Sequence, residues 1–345
     1  MKTMDKLSST KFFIGIDVSK CYFDVALLLV KDHTKQPVVT SQFENTQQGI
    51  HYFGKWLKSH KVSMGGDSLA VIENTGIYHR LIWSFCSRMN LPLHIGNAAH
   101  IKWSFGIARG KNDKIDSLRL CRYAFKEADT LKATSALDPD LILLKDLIAA
   151  RTRLLKQRSG LLTSINELEC TNDKAQVKLV EDSLKSAIQG ITTSIIDLEL
   201  QIKKLVNGNR AFKENYELLM SIPGIGTVTA TYLIACTANF AGRPTGKQLA
   251  CYAGVVPFEN SSGSSIRGRA KVHQMANKEL KRLLHMGAIS ARKNNKEFQT
   301  YYNRKKEEGK HSMSILNAIR NKIALRVAAV IKNKTKYIDH YLEAG

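Results

Sequence analysis

Along the first hundred residues, short unbroken apolar runs alternate with stretches whose apolar positions are three and four apart, and the two textures predict different elements. Phe12-Phe13-Ile14-Gly15-Ile16, ending on Asp17, reads as a buried strand. Tyr22 to Val30 reads as a second strand and Val38 to Phe43 as a third, with turn-forming residues between them. Over residues 46–59 the spacing of Ile50, Phe53, Trp56 and Leu57 is helical. A strand at 69–72, a helix near 76–89, a strand at 92–96 and helical segments from about 98 to 127 complete this part.

Beyond residue 140 the texture changes. Leu184, Ile188, Ile191, Ile195, Leu198, Ile202 and Leu205 alternate spacings of four and three, and Leu147, Ala150, Leu154, Leu161 and Leu168 form a looser version upstream. Two long helices with coiled-coil seams follow. The seam has two readings, a dimerising or partner-spanning arm and an internal antiparallel hairpin, because a heptad pattern does not say whose helix it meets. A third region starts near Phe212. Leu219-Met220-Ser221-Ile222-Pro223-Gly224-Ile225-Gly226, followed by Thr227 to Ala235, reads as helix, tight turn, helix. Such a turn can offer backbone N–H groups to a phosphate; equally, its glycines simply permit the turn. Gln248 to Gly254 leads into a loop, Pro257 to Arg269. Helical pattern resumes from Asn277 through Ser290, and a last helix, near Ser314 to Lys332, carries Ile315, Ile319, Ile323, Val327 and Ile331 at every fourth position.

The element order of the first part, βββαβαβα, is the layout of the ribonuclease H fold, which is also that of RuvC-type Holliday-junction resolvases. It places Asp17 and Glu73 at strand ends that neighbour each other in such a sheet. Asp113 and Asp116, three apart in Lys-Asn-Asp-Lys-Ile-Asp, share one helix face. Either strand-end acid alone reads as structural; the set of four, able to converge on one point, suits divalent metal.

Composition sharpens this. The 345 residues suffice for two or three domains with cores of their own. The 52 Lys and Arg against 30 Asp and Glu leave a net +22, which points to a polyanionic partner. The excess concentrates late: residues 261–345 hold 19 Lys and Arg against 6 Asp and Glu. No apolar run approaches the ~18 residues of a membrane span, so nucleic acid is the better reading than an acidic bilayer. Clustered acids on so basic a chain require something to offset them, and metal beside phosphate is the chemistry of strand cutting. Cys21, Cys86, Cys121, Cys170, Cys236 and Cys251 show no Cys-x-x-Cys pair, which argues against zinc and against a disulfide framework. The polar opening, Met1 to Lys11, lacks the apolar core of a signal peptide. A cytoplasmic protein with reduced thiols is expected.

Two further stretches carry chemistry. In Ser261-Ser262-Gly263-Ser264-Ser265-Ile266-Arg267-Gly268-Arg269, a serine beside Arg267 and Arg269 can attack a phosphodiester while the guanidinium groups hold its oxygens. Ser/Gly-rich stretches are also ordinary flexible loops, and spacing does not choose among the four serines. Lys281-Arg282, Arg292-Lys293 and Arg304-Lys305-Lys306, with Phe298, Tyr301 and Tyr302 between the last two sets, suit phosphate contacts and base stacking.

Over nearly its whole length the chain resembles the DEDD-type insertion-sequence transposases and the related Piv DNA invertases. The resemblance is carried by Phe13-Ile14-Gly15-Ile16-Asp17-Val18-Ser19-Lys20, Ile72-Glu73-Asn74-Thr75-Gly76-Ile77-Tyr78, Lys111-Asn112-Asp113-Lys114-Ile115-Asp116, Ser221 to Gly226, and Tyr252-Ala253-Gly254-Val255-Val256-Pro257 through the serine stretch, in family order and spacing. It implies a RuvC-like domain holding Mg2+ through Asp17, Glu73, Asp113 and Asp116, and a C-terminal transposase domain whose nucleophile is the serine before the loop glycine, here Ser262. It further implies cutting and rejoining of donor and target DNA duplexes through a phosphoserine link, guidance by a structured bridge RNA, and action as a homodimer or tetramer. One departure stands out: where relatives carry Lys-x-Gly-Asn, this chain has His273-Gln274-Met275-Ala276-Asn277. The expected architecture is an α/β RuvC-like domain over residues 1–130, a helical coiled-coil region over 131–210 and a mostly α-helical transposase domain over 211–345. The alternatives are a RuvC-like nuclease that activates water, and a non-catalytic nucleic-acid-binding protein on a decayed nuclease fold.

Overall fold

A computed structural model describes residues 10–74, 76–105, 113–136, 138–170, 173–262, 266–272 and 276–339. The chain forms two compact units, Met1–Asp138 and Pro139–Gly345. The single division falls at 138/139, where the sequence suggests boundaries near 130 and 210.

The first unit runs β1 (Thr10–Val18), β2 (Tyr22–Lys31), β3 (Thr34–Lys35), β4 (Val39–Glu44), α1 (Gln47–Ser59), β5 (Ser68–Glu73), α2 (Arg80–Met89), β6 (Leu93–Gly96), α3 (Ala98–Ser104) and α4 (Asp113–Lys126). Strand β1 lies between β2, antiparallel to it, and β5, parallel to it; β6 continues the parallel side, and β3 and β4 both pair along the outer edge of β2. This is the RuvC-like, ribonuclease H topology. Helix α2 begins later than the expected 76, because residues Gly76 to His79 form a turn first.

Strand periodicity divides the side chains between two cores. Phe12, Ile14, Ile16, Val18, Phe23, Val25 and Leu27 pack on one face with Ile50, Phe53 and Leu57 of α1 and Ile82 and Phe85 of α2. Phe13, Ala26, Leu28 and Val71 pack on the other face with Leu120, Cys121 and Ala124 of α4. Because both faces are covered, the central strands read as continuous apolar runs. Gly15 lies on the α4 face, where an added Cβ would overlap the backbone of Ser117 and Cys121. Only glycine lets α4 approach β1 so closely.

The second unit contains α5 (Pro139–Leu168), α6 (Lys174–Gly208), α7 (Arg210–Met220), α8 (Thr227–Cys236), α9 (Gly246–Tyr252), β7 (Pro257–Ser262), β8 (Ile266–Val272), α10 (Lys278–Asn294), α11 (Lys296–Glu307) and α12 (Ser312–Asn333). Helices α5 and α6 lie against each other. The seam of α6 is buried or half-buried along its length, and Arg151 of α5 reaches across to Glu199 at 2.6 Å. The heptad pattern therefore meets a helix of its own chain, as in the internal-hairpin reading. At the base of this pair, Leu141, Leu144, Ile202 and Val206 join the core built by α7, α8, α10 and α12. Helix α12 runs through that core, burying Ile315, Ile319, Ile323, Val327 and Ile331 as their spacing predicts.

Within the stretch from Pro257 to Arg269, expected as a loop, the described residues instead form two paired antiparallel strands, with Pro257 opposite Val272 and Ser262 opposite Ile266. Its serines and glycines mask a strand pattern that a backbone ladder nevertheless supports. Among the described residues, no helix is long and apolar enough to cross a membrane.

Candidate functional site

The paired residues Ile16 and Ile72 bring the ends of β1 and β5 level, so Asp17 and Glu73 follow side by side on strands roughly 4.8 Å apart. Alternation sends both to the face that α4 covers, the face of Phe13 and Val71. Asp116 lies one turn into α4, next to Ser117, whose carbonyl approaches Gly15. Its carboxylate takes an ion pair from Arg119 at 2.8 Å. Asp113 opens the same helix, but its side chain lies outside the described residues. The structure thus brings Asp17 and Glu73 together and sets the helix of Asp116 on their face. Among the described residues, however, no group of three or more His, Cys, Asp or Glu side chains is close enough to hold a metal ion.

Three further residues belong to this edge. Asp24 stands opposite Asp17 in the β1–β2 register, is only 7% exposed, and accepts from Gln42 Nε2 at 3.2 and 3.3 Å. Asn45 Nδ2 donates to the carbonyls of Ser19 and Tyr78, both at 3.0 Å, tying together the segments that follow β1 and β5. Arg119 holds Asp116. None of the three is signalled by a motif, since each depends on register or on a fold partner; the lone acid inside the apolar run of β2 was the one available hint. Exposed Tyr22, Tyr78 and Trp103, the last 62% exposed, follow or flank the same strand ends.

In the second unit, Ser262 is the last residue of β7, and Arg267 and Arg269 lie on β8, with Ser261 paired to Arg267. Ser264 and Ser265 fall outside the described residues, as do the side chains of Ser262, Arg267 and Arg269. The base of the hairpin is well defined. Asn277 donates from its backbone N–H to the Tyr252 carbonyl at 2.8 Å and from Nδ2 to the Tyr252 hydroxyl at 2.9 Å. Its Oδ1 accepts from Tyr232 Oη at 3.0 Å and from the Leu280 N–H at 2.9 Å, capping α10. Burial pushes the Tyr232 phenol up to about 12, so it stays protonated and remains a donor. The departure at Ala276 is absorbed locally. Ala276 is not among the residues with positive φ, and its methyl group fills the space left by Gly254, where an added Cβ would overlap it.

In the turn between α7 and α8, Gly224 has φ +90 and lies against Gly287 of α10, so its role is packing and backbone freedom. Gly226 caps α8 with no side-chain hydrogen bond. The predicted basic residues are partly engaged by side chains close to them in sequence. Arg282 pairs with Glu279 at 2.6 Å, Lys305 with Glu308 at 2.6 Å, and Lys306 donates to Ser312 Oγ at 3.1 Å. Arg304 lies over the Tyr301 ring at 5.8 Å and Arg292 over Tyr302 at 4.3 Å, so cations and aromatic faces alternate along this surface. Lys281 is half-buried on α10.

Comparison with known proteins gives these arrangements a context. Residues 14–169 match the model of the DEDD transposases of IS110, described as a transposase, and residues 216–303 match the model described as transposase IS116/IS110/IS902 family. The pilin gene-inverting protein of Moraxella bovis is 30% identical over 332 residues, covering 95% of this chain and 98% of that protein. The insertion element IS110 uncharacterized 43.6 kDa protein of Streptomyces coelicolor is 31% identical over 160 residues, 46% of this chain and 38% of that protein. Among solved structures, T. thermophilus RuvC in complex with Holliday junction substrate aligns with 36% of this chain and 99% of its own at 11% identity and a TM-score of 0.24. With a relative at this identity over nearly the full length of both proteins, and family models on both units, the chain belongs to the IS116/IS110/IS902 family of transposases.

Proposed function

We propose that this transposase cuts and rejoins DNA at the ends of its mobile element through a serine-linked intermediate, with Mg2+ assistance and a structured RNA as guide. The observation that carries the reading is the placement of Asp17 and Glu73 one residue beyond the paired Ile16 and Ile72 of adjacent strands, on the face covered by the helix that bears Asp113 and Asp116. Carboxylate oxygens are the donors a hard dication takes, and these four residues would hold it, with Asp116 exchanging its Arg119 partner for the ion. Bound there, the ion supplies Lewis-acid polarisation of a phosphodiester oxygen. Asn45 keeps the two strand-end segments in place, and Asp24, which accepts from Gln42, lies opposite Asp17 on the next strand.

Ser262 Oγ attacks phosphorus, giving up its proton; the new O–P bond forms as the bond to one sugar oxygen breaks, and that oxygen leaves with a proton as a hydroxyl. Reversal by a different hydroxyl rejoins strands without outside energy, because the phosphodiester has been kept. Arg267 and Arg269 steady the charge on the phosphate oxygens. Lys281, Arg282, Arg304, Lys305 and Lys306, the aromatic faces among them and the open N-terminus of α8 contribute sequence-independent contacts to duplex DNA and to RNA. Base pairing by the guide RNA would supply sequence specificity.

The test is a denaturing gel of the protein with DNA spanning its element's ends and the RNA transcribed from that element. Wild type should give a covalent protein–DNA adduct, and Ser262→Ala should lose both adduct and recombination while keeping nucleic-acid affinity. Ser261→Ala, Ser264→Ala and Ser265→Ala should retain the adduct. An adduct that survives Ser262→Ala but vanishes in one of these neighbours moves the nucleophile. Strand cutting by wild type with no adduct at all replaces this mechanism by hydrolysis.

A further inference from the structure

On the side of the sheet away from the carboxylates, α1 and α2 enclose a cleft of about 470 Å³. Its walls are basic. His51, Lys55 and Lys58 stand four and three residues apart on one face of α1, and Arg88 joins them from the last turn of α2. Its floor is apolar, formed by the buried Ile50 and Phe85. Gly54 lines the cleft beside Phe85, where an added Cβ would come within 3.2 Å of the ring. No carboxylate lines the cleft, and among the described residues no ion pair occupies Lys55, Lys58 or Arg88. Bases in a last turn ordinarily complement the helix dipole, which accounts for Lys58 and Arg88 taken singly. It does not account for His51 and Lys55 further back, nor for two helices lining one cleft with bases.

We infer that this cleft holds the sugar–phosphate backbone of a nucleic-acid segment, one that passes on the opposite side of the sheet from Asp17 and Glu73. Cationic walls neutralise successive phosphates, and the apolar floor accepts the face of a sugar or base. The inference rests on charge and shape and is independent of Ser262 and of metal.

Neutralising all three exposed bases in the full chain, Lys55→Gln with Lys58→Gln and Arg88→Gln, tests it. Binding is measured against salt, without magnesium, for an RNA hairpin and a DNA duplex of about twenty base pairs each. The slope of log affinity against log salt should become shallower by about 2 to 3, as expected when three phosphate contacts are lost. An equal neutralisation elsewhere, Lys11→Gln with Lys31→Gln and Lys126→Gln, should change it far less. A shallower slope for RNA alone assigns the cleft to RNA, for DNA alone to DNA, and for both to a shared backbone track. An unchanged slope for both probes, or an equal loss in the control, overturns the inference.

Discussion

Glu73→Gln keeps the side chain's volume and removes one charged oxygen beside Asp17, so its effect isolates charge from packing. We expect Mg2+ affinity and recombination to fall by on the order of 100-fold or more while the melting temperature is held. Metal binding at the wild-type level in this variant would remove Glu73 from the ligand set. Thiol chemistry gives a second test at this scale. Burial pushes Cys86, Cys121 and Cys236 up to about 12, and Cys121 also donates to the Phe13 carbonyl at 3.2 Å. With the thiolate absent far above neutral pH, iodoacetamide at about pH 8 should label exposed Cys21, Cys170 and Cys251 in the folded protein and spare the other three. Early labelling of Cys121 would mean that α4 leaves the sheet. The acids stand out in the sequence only as a set, through strand ends and a three-residue spacing. Asp24, Asn45 and Arg119 do not, because what they do depends on which strand or turn lies across from them.

Between residue and molecule, Gly15 decides whether α4 can carry Asp116 to the sheet. Gly15→Ala places a methyl group against the backbone of Ser117 and Cys121, neither of which can rotate away. A cost of about 2–3 kcal/mol is expected, read as a lower denaturation midpoint together with lost metal binding. Wild-type stability in that variant would contradict the close approach. The strands and helices of the first unit were readable because burial on both faces leaves unbroken apolar runs, and α1 shows a helical stripe. The two-residue β3 carries no pattern at all. The β7–β8 hairpin was hidden for a different reason: Glu-Asn-Ser-Ser and Arg-Gly-Arg offer no apolar alternation, and an isolated two-stranded ribbon is marginal unless its ends are fastened. Here Tyr232, Asn277 and Tyr252 fasten them, from three separate helix ends or interiors.

For the molecule as a whole, the net charge of +22 sets the character of binding. Affinity for duplex DNA of unrelated sequence should fall about a thousandfold or more between about 50 and 200 mM salt, as for a protein making several phosphate contacts. A nearly flat dependence would mean that the basic residues paired within their helices, such as Arg282 with Glu279, do not reach phosphate. Composition alone carries this expectation, whereas the division into two units is not marked by composition. Sequence texture changes near 140 and again near 212, yet the base of the α5–α6 pair shares its core with the helices that follow, so the second change marks no break in packing.

That filled seam between α5 and α6 has a consequence for how the protein lives in a cell. An obligate dimer gains stability from its partner, and at a few copies per cell it unfolds or is degraded. Here the heptad positions of α6 meet α5 of the same chain, so that seam is covered without a second copy. The melting temperature is therefore expected to stay the same when the protein is diluted, and a melting temperature that falls with concentration would show that a second copy completes the fold.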